Sequence, residues 1–277
     1  MDLWRRGKAL WAEFSSVGAG TYASSIAFFA FLSLIPLLTL SISLVTFMGI
    51  GEEEIARFFV ALVPDAFDDF ARGLLRDAFR SSGIAFSLST ITLLWSASKG
   101  MRALRAGLNA TYGEKETRNW FVVVGISILA ALILGVLFAV TIYLVFGGAV
   151  MRGIEGLAPD LHHQGSVMNA LNSTVMAVSG VFALCACYSY LPDGSRRFRA
   201  QLPGAVLASL LCGLVTIGFH VYVDNFCNYD ALYGSIATVA LFLFWLYIVS
   251  YILLLGAFLN RTLAHREETT RDESENA

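Results

Sequence analysis

Six stretches of the chain run without a single Asp, Glu, Lys or Arg: 14–51, 81–98, 119–151, 161–192, 200–223 and 231–260. A helix rises about 1.5 Å per residue, so about 20 apolar residues cross a hydrocarbon core about 30 Å thick. The pattern predicts an all-α membrane protein, a bundle of six transmembrane helices at about 22–48, 83–98, 120–147, 167–190, 202–223 and 234–259. Those helices make up one domain, residues 21–260. Ahead of it, residues 1–20 mix Trp4, Leu10, Trp11 and Phe14 with Arg5, Arg6 and Lys8, as a short helix lying among cytoplasmic lipid headgroups would. Behind it, residues 261–277 alternate charges with Thr, Ser and Asn and predict a disordered cytoplasmic tail.

The polar intervals refine this plan. In the loop from 49 to 82, Phe67, Phe70, Ala71, Leu74, Leu75 and Ala78 recur at helical spacing, which predicts an amphipathic outer helix capped by Asp65. It either rests on the outer surface or lids the bundle. Pro36 near the middle of the first span predicts a kink. The second span carries Ser87, Ser89, Thr90, Thr92, Ser96 and Ser98, a hydroxyl content that suits a central position in the bundle. Its apolar register continues through Met101, Leu104 and Leu108 until Gly113 offers a stop. In the fifth span, Gly204 with Ala208 and Ser209 with Gly213 put small residues one turn apart and predict close packing of helices.

Composition agrees with a membrane solvent, since 57% of residues are hydrophobic and 14% charged. The distribution of cations then orients the bundle. Fourteen of the 19 Lys and Arg flank the spans on one side, while Arg57, Arg72, Arg76, Arg80 and Arg152 lie on the other. Positive residues favour the cytoplasm, so both termini are expected there. The first apolar run is too long for a removable signal peptide and reads as an uncleaved anchor. Cys185, Cys187 and Cys212 fall within apolar spans, which argues against a disulfide framework.

Chemistry is sparse. His162 and His163 lie on an outer loop and His265 in the tail, leaving His220 as the embedded histidine; His220 and Asp224 share a helical face and either relay a proton or sit at the boundary as ordinary interfacial groups. No catalytic residue, cofactor site or metal site follows from such a set, and nucleic acid is not expected as a partner. Asn169 and Asn172 on the fourth span are expected to face the hydroxyl-rich second span, and with Ser96, Asn109, His220 and Asp224 either line a polar groove or pathway or merely join helices. Lys99, Arg102 and Arg105, with Arg196, Arg197 and Arg199, form a basic cluster suited to anionic lipid headgroups, though positive-inside bias alone also accounts for it.

Residues 27–36, Ala-Phe-Phe-Ala-Phe-Leu-Ser-Leu-Ile-Pro, are followed in order by Leu94-Trp95-Ser96-Ala97-Ser98, Leu104-Arg105, Leu108-Asn109, Tyr112, Leu191-Pro192, Pro203-Gly204, Tyr233-Gly234-Ser235, Trp245 and Leu255-Gly256-Ala257 with Asn260. Their order and spacing resemble the YihY/BrkB family of bacterial inner-membrane proteins, once labelled ribonuclease BN. The resemblance implies six membrane helices in the bacterial cytoplasmic membrane, with virulence and lipid transport among the roles proposed for the family. One position departs: where the family often carries Glu after Gly256-Ala257, this chain has Phe258. The expected function is transport or lipid handling without nucleotide hydrolysis and without enzymatic chemistry. The alternatives are a scaffold with no transport cycle and, third, the ribonuclease of the old label. Oligomeric state does not follow from these patterns.

Overall fold

The computed structural model describes residues 2–47, 72–73, 83–154, 164–194, 196–226 and 235–275. Seven helices carry most of them: α1 (Asp2–Ser16), α2 (Ala19–Phe47), α3 (Gly83–Tyr112), α4 (Trp120–Ile154), α5 (Gln164–Tyr190), α6 (Leu202–Phe226) and α7 (Ser235–Glu275). A 3-10 turn, Phe198–Gln201, leads into α6. There is no strand among the described residues. The predicted outer amphipathic helix falls outside the described residues except at 72–73, which are helical.

Consecutive helices from α2 to α7 pack on one another, and α7 returns to α2 and α3. This surrounds α3 with α2, α4 and α7, the central place its hydroxyls suggest. Ser96 is fully buried and its Oγ donates to the Thr92 carbonyl at 2.8 Å. In contrast, α5 packs on α4 and α6 and not to any extent on α3. The side chains of Asn169 and Asn172, on which the expected groove between the second and fourth spans depends, lie outside the described residues. The polar contacts at the end of α3 are made by the loops beyond it, by the 3-10 turn and by α7.

Three described helical segments are long and apolar enough to cross a membrane: Trp120–Leu137, Phe198–Phe219 and Val239–His265. A fourth forms if α1 and α2 count as one span bent by 55° between Ser16 and Ala19. Gly18 makes that bend with φ of +75°, a conformation costly for a residue with a Cβ. The helix of α2 continues through Pro36 without interruption. The exterior is apolar to an extent that water would not tolerate: only 6% of the Trp120–Leu137 segment is buried, and Phe121, Leu129, Ile133 and Val136 stand out from it.

The core gathers at the end of the bundle where α1 crosses. Phe14 is inserted among α2, α3, α5 and α7, with ring centroids 5.2 Å from both Tyr251 and Phe258. Phe258 is thus an aromatic core residue and not a surface acid. Two glycines set the closest approach of helices. A methyl on Gly256 would lie 2.6 Å from the Gly204 carbonyl oxygen, and one on Gly204 would overlap the Gly256 carbonyl. Ala208, fully buried, completes that contact, but nothing approaches Gly213, so half of the predicted small-residue pattern serves packing.

At the far end, α7 runs to Glu275, where the sequence predicts a disordered tail. After Gly256 the segment holds neither Pro nor Gly, and Glu267 stands four residues ahead of Arg271 in the stabilising orientation. Nothing in the composition interrupts the helix.

Candidate functional site

The residues with chemical potential meet where α3 ends. Gly113, at φ +74°, closes the helix: its N–H donates to Ala110 O at 3.2 Å, and Glu114 N donates to Asn109 O at 2.9 Å. The chain then doubles back over the last turns of α3 and enters α4 through Asn119, whose side chain accepts from Phe121 N at 3.3 Å. This hairpin carries Glu114, Glu116, Thr117 and Arg118 across the face that holds Arg102, Arg105 and Asn109.

Each contact has a geometric reason. Arg105, almost wholly buried, donates to Glu116 through Nε at 2.7 Å and Nη2 at 2.9 Å, the bidentate arrangement a guanidinium favours. Asn109 Nδ2 donates to the same carboxylate at 3.1 Å, while Asn109 Oδ1 accepts the Asp193 N–H at 2.7 Å. Asn109 thus ties the loop after α3 to the loop after α5. Asp193 completes the second loop: its Oδ2 accepts from Thr117 Oγ1 at 2.6 Å and Thr117 N at 2.7 Å, and its Oδ1 meets Arg118 Nε at 3.1 Å. The Thr117 bonds, with the Arg118 and Arg105 charges, hold the Asp193 carboxyl below its ordinary range against the opposing effect of burial.

A second layer extends to α6 and α7. Arg196 pairs with Glu114 at 2.8 Å and lies over the Tyr112 ring, 3.9 Å from its centroid. Tyr112 donates to Gln201 Oε1 at 2.7 Å, and burial pushes its phenol up to about 12, so it stays a neutral donor. Asn260 joins the helices: its Oδ1 accepts from Gly204 N at 2.7 Å, and its Nδ2 donates to Gln201 O and Oε1 at 3.1 and 3.0 Å. Arg261 bonds Thr111 O at 3.0 Å and pairs with Glu13 of α1 at 3.0 Å.

The expected basic cluster is therefore divided. Arg105 and Arg196 are neutralised by carboxylates, and Arg197, which caps the 3-10 turn, and Arg199 within it are exposed. Lys99 lies lower on α3, with its ammonium 5.3 Å from the Trp95 ring centroid and 5.8 Å from that of Phe29. Arg102 has no ion pair among the described residues, and its Nε is buried without a partner, as is Arg105 Nη1. Both residues line a cavity of about 310 Å3 with Tyr22, Asn109, Glu116 and Val123.

The side chains of Asn169, Asn172, His220 and Asp224 lie outside the described residues; the first pair belongs to α5 and the second to α6. Sequence reasoning missed Glu114, Glu116, Thr117 and Asp193. The available signal was their position, since acidic residues sit in otherwise basic loops directly beside the charge-free runs.

Long helices with an exposed apolar exterior, closed at one end by a buried polar network, define a helical membrane protein. Sequence comparison agrees on the class and gives it a family. The chain belongs to the family described as Virulence factor BrkB, whose profile matches residues 10–277. Among its relatives, the Bacillus subtilis protein YfkH, whose name calls it ribonuclease-like, is 27% identical over 96% of this chain and 98% of its own length. A UPF0761 membrane protein of Pseudoalteromonas translucida is 27% identical over 92% of this chain and 86% of its own length. Another, from Methylibium petroleiphilum, is 28% identical over 90% of this chain, which spans 60% of that longer protein. No solved structure matches the chain.

Proposed function

We propose that the chain is a six-span protein of the bacterial cytoplasmic membrane, with both termini in the cytosol, that moves or presents lipids with anionic headgroups. It hydrolyses no nucleotide and is not an enzyme. The observation that carries this reading is the ladder of Lys99, Arg102 and Arg105 on α3 beside α2. Six residues of helix separate its ends by about 9 Å along the axis, so cationic groups extend from the polar network toward the apolar zone. Cations at that depth are costly unless they serve a partner or reach the interface. Lys99 meets aromatic rings, Arg105 meets Glu116, and Arg102 is left to meet a ligand. The orientation is supported by the bias of 14 among 19 basic residues.

Reconstitution in liposomes tests it. Labelled phosphatidylglycerol should cross the bilayer faster than in protein-free vesicles, and slower crossing should follow Arg102→Gln; a rate equal to that of empty vesicles would refute transport.

The scaffold reading has its own support in the Gly204–Gly256 contact and the ion pairs that consume Arg105, Arg118 and Arg196. It stands second because a closed structural network has no need of Arg102. The nuclease stands third: the ribonuclease wording belongs to YfkH, and the four histidines of this chain are scattered at 162, 163, 220 and 265.

A further inference from the structure

Arg102 Nε and Arg105 Nη1 are both shielded from solvent and both without a partner among the described residues. Buried charged donors are nearly always satisfied, so two orphans in one place call for an acceptor. The residues stand three apart on α3, on one helical face, and share the same cavity. That cavity measures about 310 Å3. A water molecule takes up roughly 30 Å3, so a single bridging water would leave most of it empty, whereas ligand pockets begin at about 300 Å3.

The charges narrow the choice. Glu114 and Glu116 both line the cavity beside Arg102 and Arg105, but Glu116 is engaged by Arg105 and Glu114 by Arg196 from outside it, so Arg102 is the lining cation left without a carboxylate partner among the described residues. The cavity therefore suits one negative charge with several acceptor oxygens, which a guanidinium fork binds in plane. Its depth points to a source. Trp120 and Phe121, both exposed, open the apolar segment of α4, and Val123 of the same turn lines the cavity. Aromatic residues at a span end mark the headgroup level.

We infer that the Arg102–Arg105 cavity binds a singly charged phosphate-type oxyanion, with a lipid phosphodiester as its first source. This rests on the lipid-handling reading for the source alone; the site itself stands equally with free phosphate.

The test uses the full chain purified in a neutral detergent, with its thermal unfolding midpoint followed during titration. The probes are dioctanoyl phosphatidylglycerol, inorganic phosphate and dioctanoylglycerol, which lacks the phosphate. Phosphatidylglycerol should raise the midpoint saturably and dioctanoylglycerol should not. Arg102→Gln should weaken the response about tenfold or more, Arg102→Lys less, and Arg199→Gln, at an exposed position, not at all. If Arg102→Gln does not fold, the wild-type titration and Arg102→Lys decide. No saturable response to either phosphate probe, or an Arg102→Gln response equal to wild type, overturns the site. Saturation by phosphate but not by the lipid supports the site and removes its lipid source. Lost binding alongside lipid translocation still above empty vesicles would overturn the site and spare the transport reading.

Discussion

Arg105 and Glu116 form a two-point ion pair in which the guanidinium side chain is 1% exposed and the carboxylate side chain 33%. The unequal exposure determines what each contributes. Glu116 already reaches solvent while Arg105 does not, so the carboxylate is what makes the arginine tolerable in the core. Glu116→Gln should therefore destabilise the protein by about 2 kcal/mol, because it strands a buried charge. Replacing both partners, Arg105→Met with Glu116→Leu, should recover most of that loss. Thermal unfolding of the three variants in detergent checks the order; a Glu116→Gln protein as stable as wild type would show that the pair is not a clamp.

The meeting of α6 and α7 at Gly204 and Gly256 makes a sharper contrast. A methyl at either glycine runs into the carbonyl oxygen of the other, and backbone cannot turn aside as a side chain can. Gly256→Ala should cost about 1–3 kcal/mol, the usual range for overpacking. Gly213 lies on the same helix as Gly204 with open space around its Cβ direction. Gly213→Ala should be neutral or stabilising by up to about 1 kcal/mol, since alanine is the better helix former. Equal effects at the two sites, measured by unfolding midpoint, would refute the close crossing.

That contrast also shows what the residue pattern could and could not convey. Both small-residue pairs on α6 look alike in one dimension, and only a second helix distinguishes Gly204 from Gly213. The helix of α3 was legible to its last residue, because periodicity and Gly113 are local signals. The polar network was less so. Arg105, Asn109, Tyr112 and Asn260 drew attention singly, but Glu116 and Asp193 looked like solvated loop charges, and their roles depend on two loops meeting across 76 residues. Phe258 had a similar ambiguity. Its departure from the acid often found there in the resemblance becomes intelligible once Phe14 of α1 is seen against it.

Asp193 makes the network sensitive to acid. Its carboxyl is held below the ordinary range by the Thr117 hydroxyl and N–H, so the folded state binds the proton less readily than the unfolded chain. The stability this contributes is complete above the ordinary carboxylate range of about 4. It is lost as pH falls through the lower, folded value. Wild-type protein should consequently lose unfolding temperature on acidification below about pH 4 more steeply than Asp193→Asn. Thr117→Val, which removes the hydroxyl donor, should reduce the same slope. Parallel curves for wild type and Asp193→Asn would remove Asp193 from the account.

The orientation of the bundle gives the last prediction. Arg72 belongs to the interval between the first two apolar runs, and Lys115 to the interval between the second and third; both side chains are exposed. In the proposed six-span arrangement one crossing separates them, so they are expected to face opposite compartments, with Lys115, amid the surplus of cations, in the cytosol. Single cysteines at the two positions, in a background without Cys185, Cys187, Cys212 and Cys227, should then react differently with an impermeant maleimide on intact cells. Arg72→Cys should label at once, and Lys115→Cys only after permeabilisation. Reaction of both under the same condition would mean that α3 does not cross the membrane, and the cationic ladder would lose its place at the lipid interface.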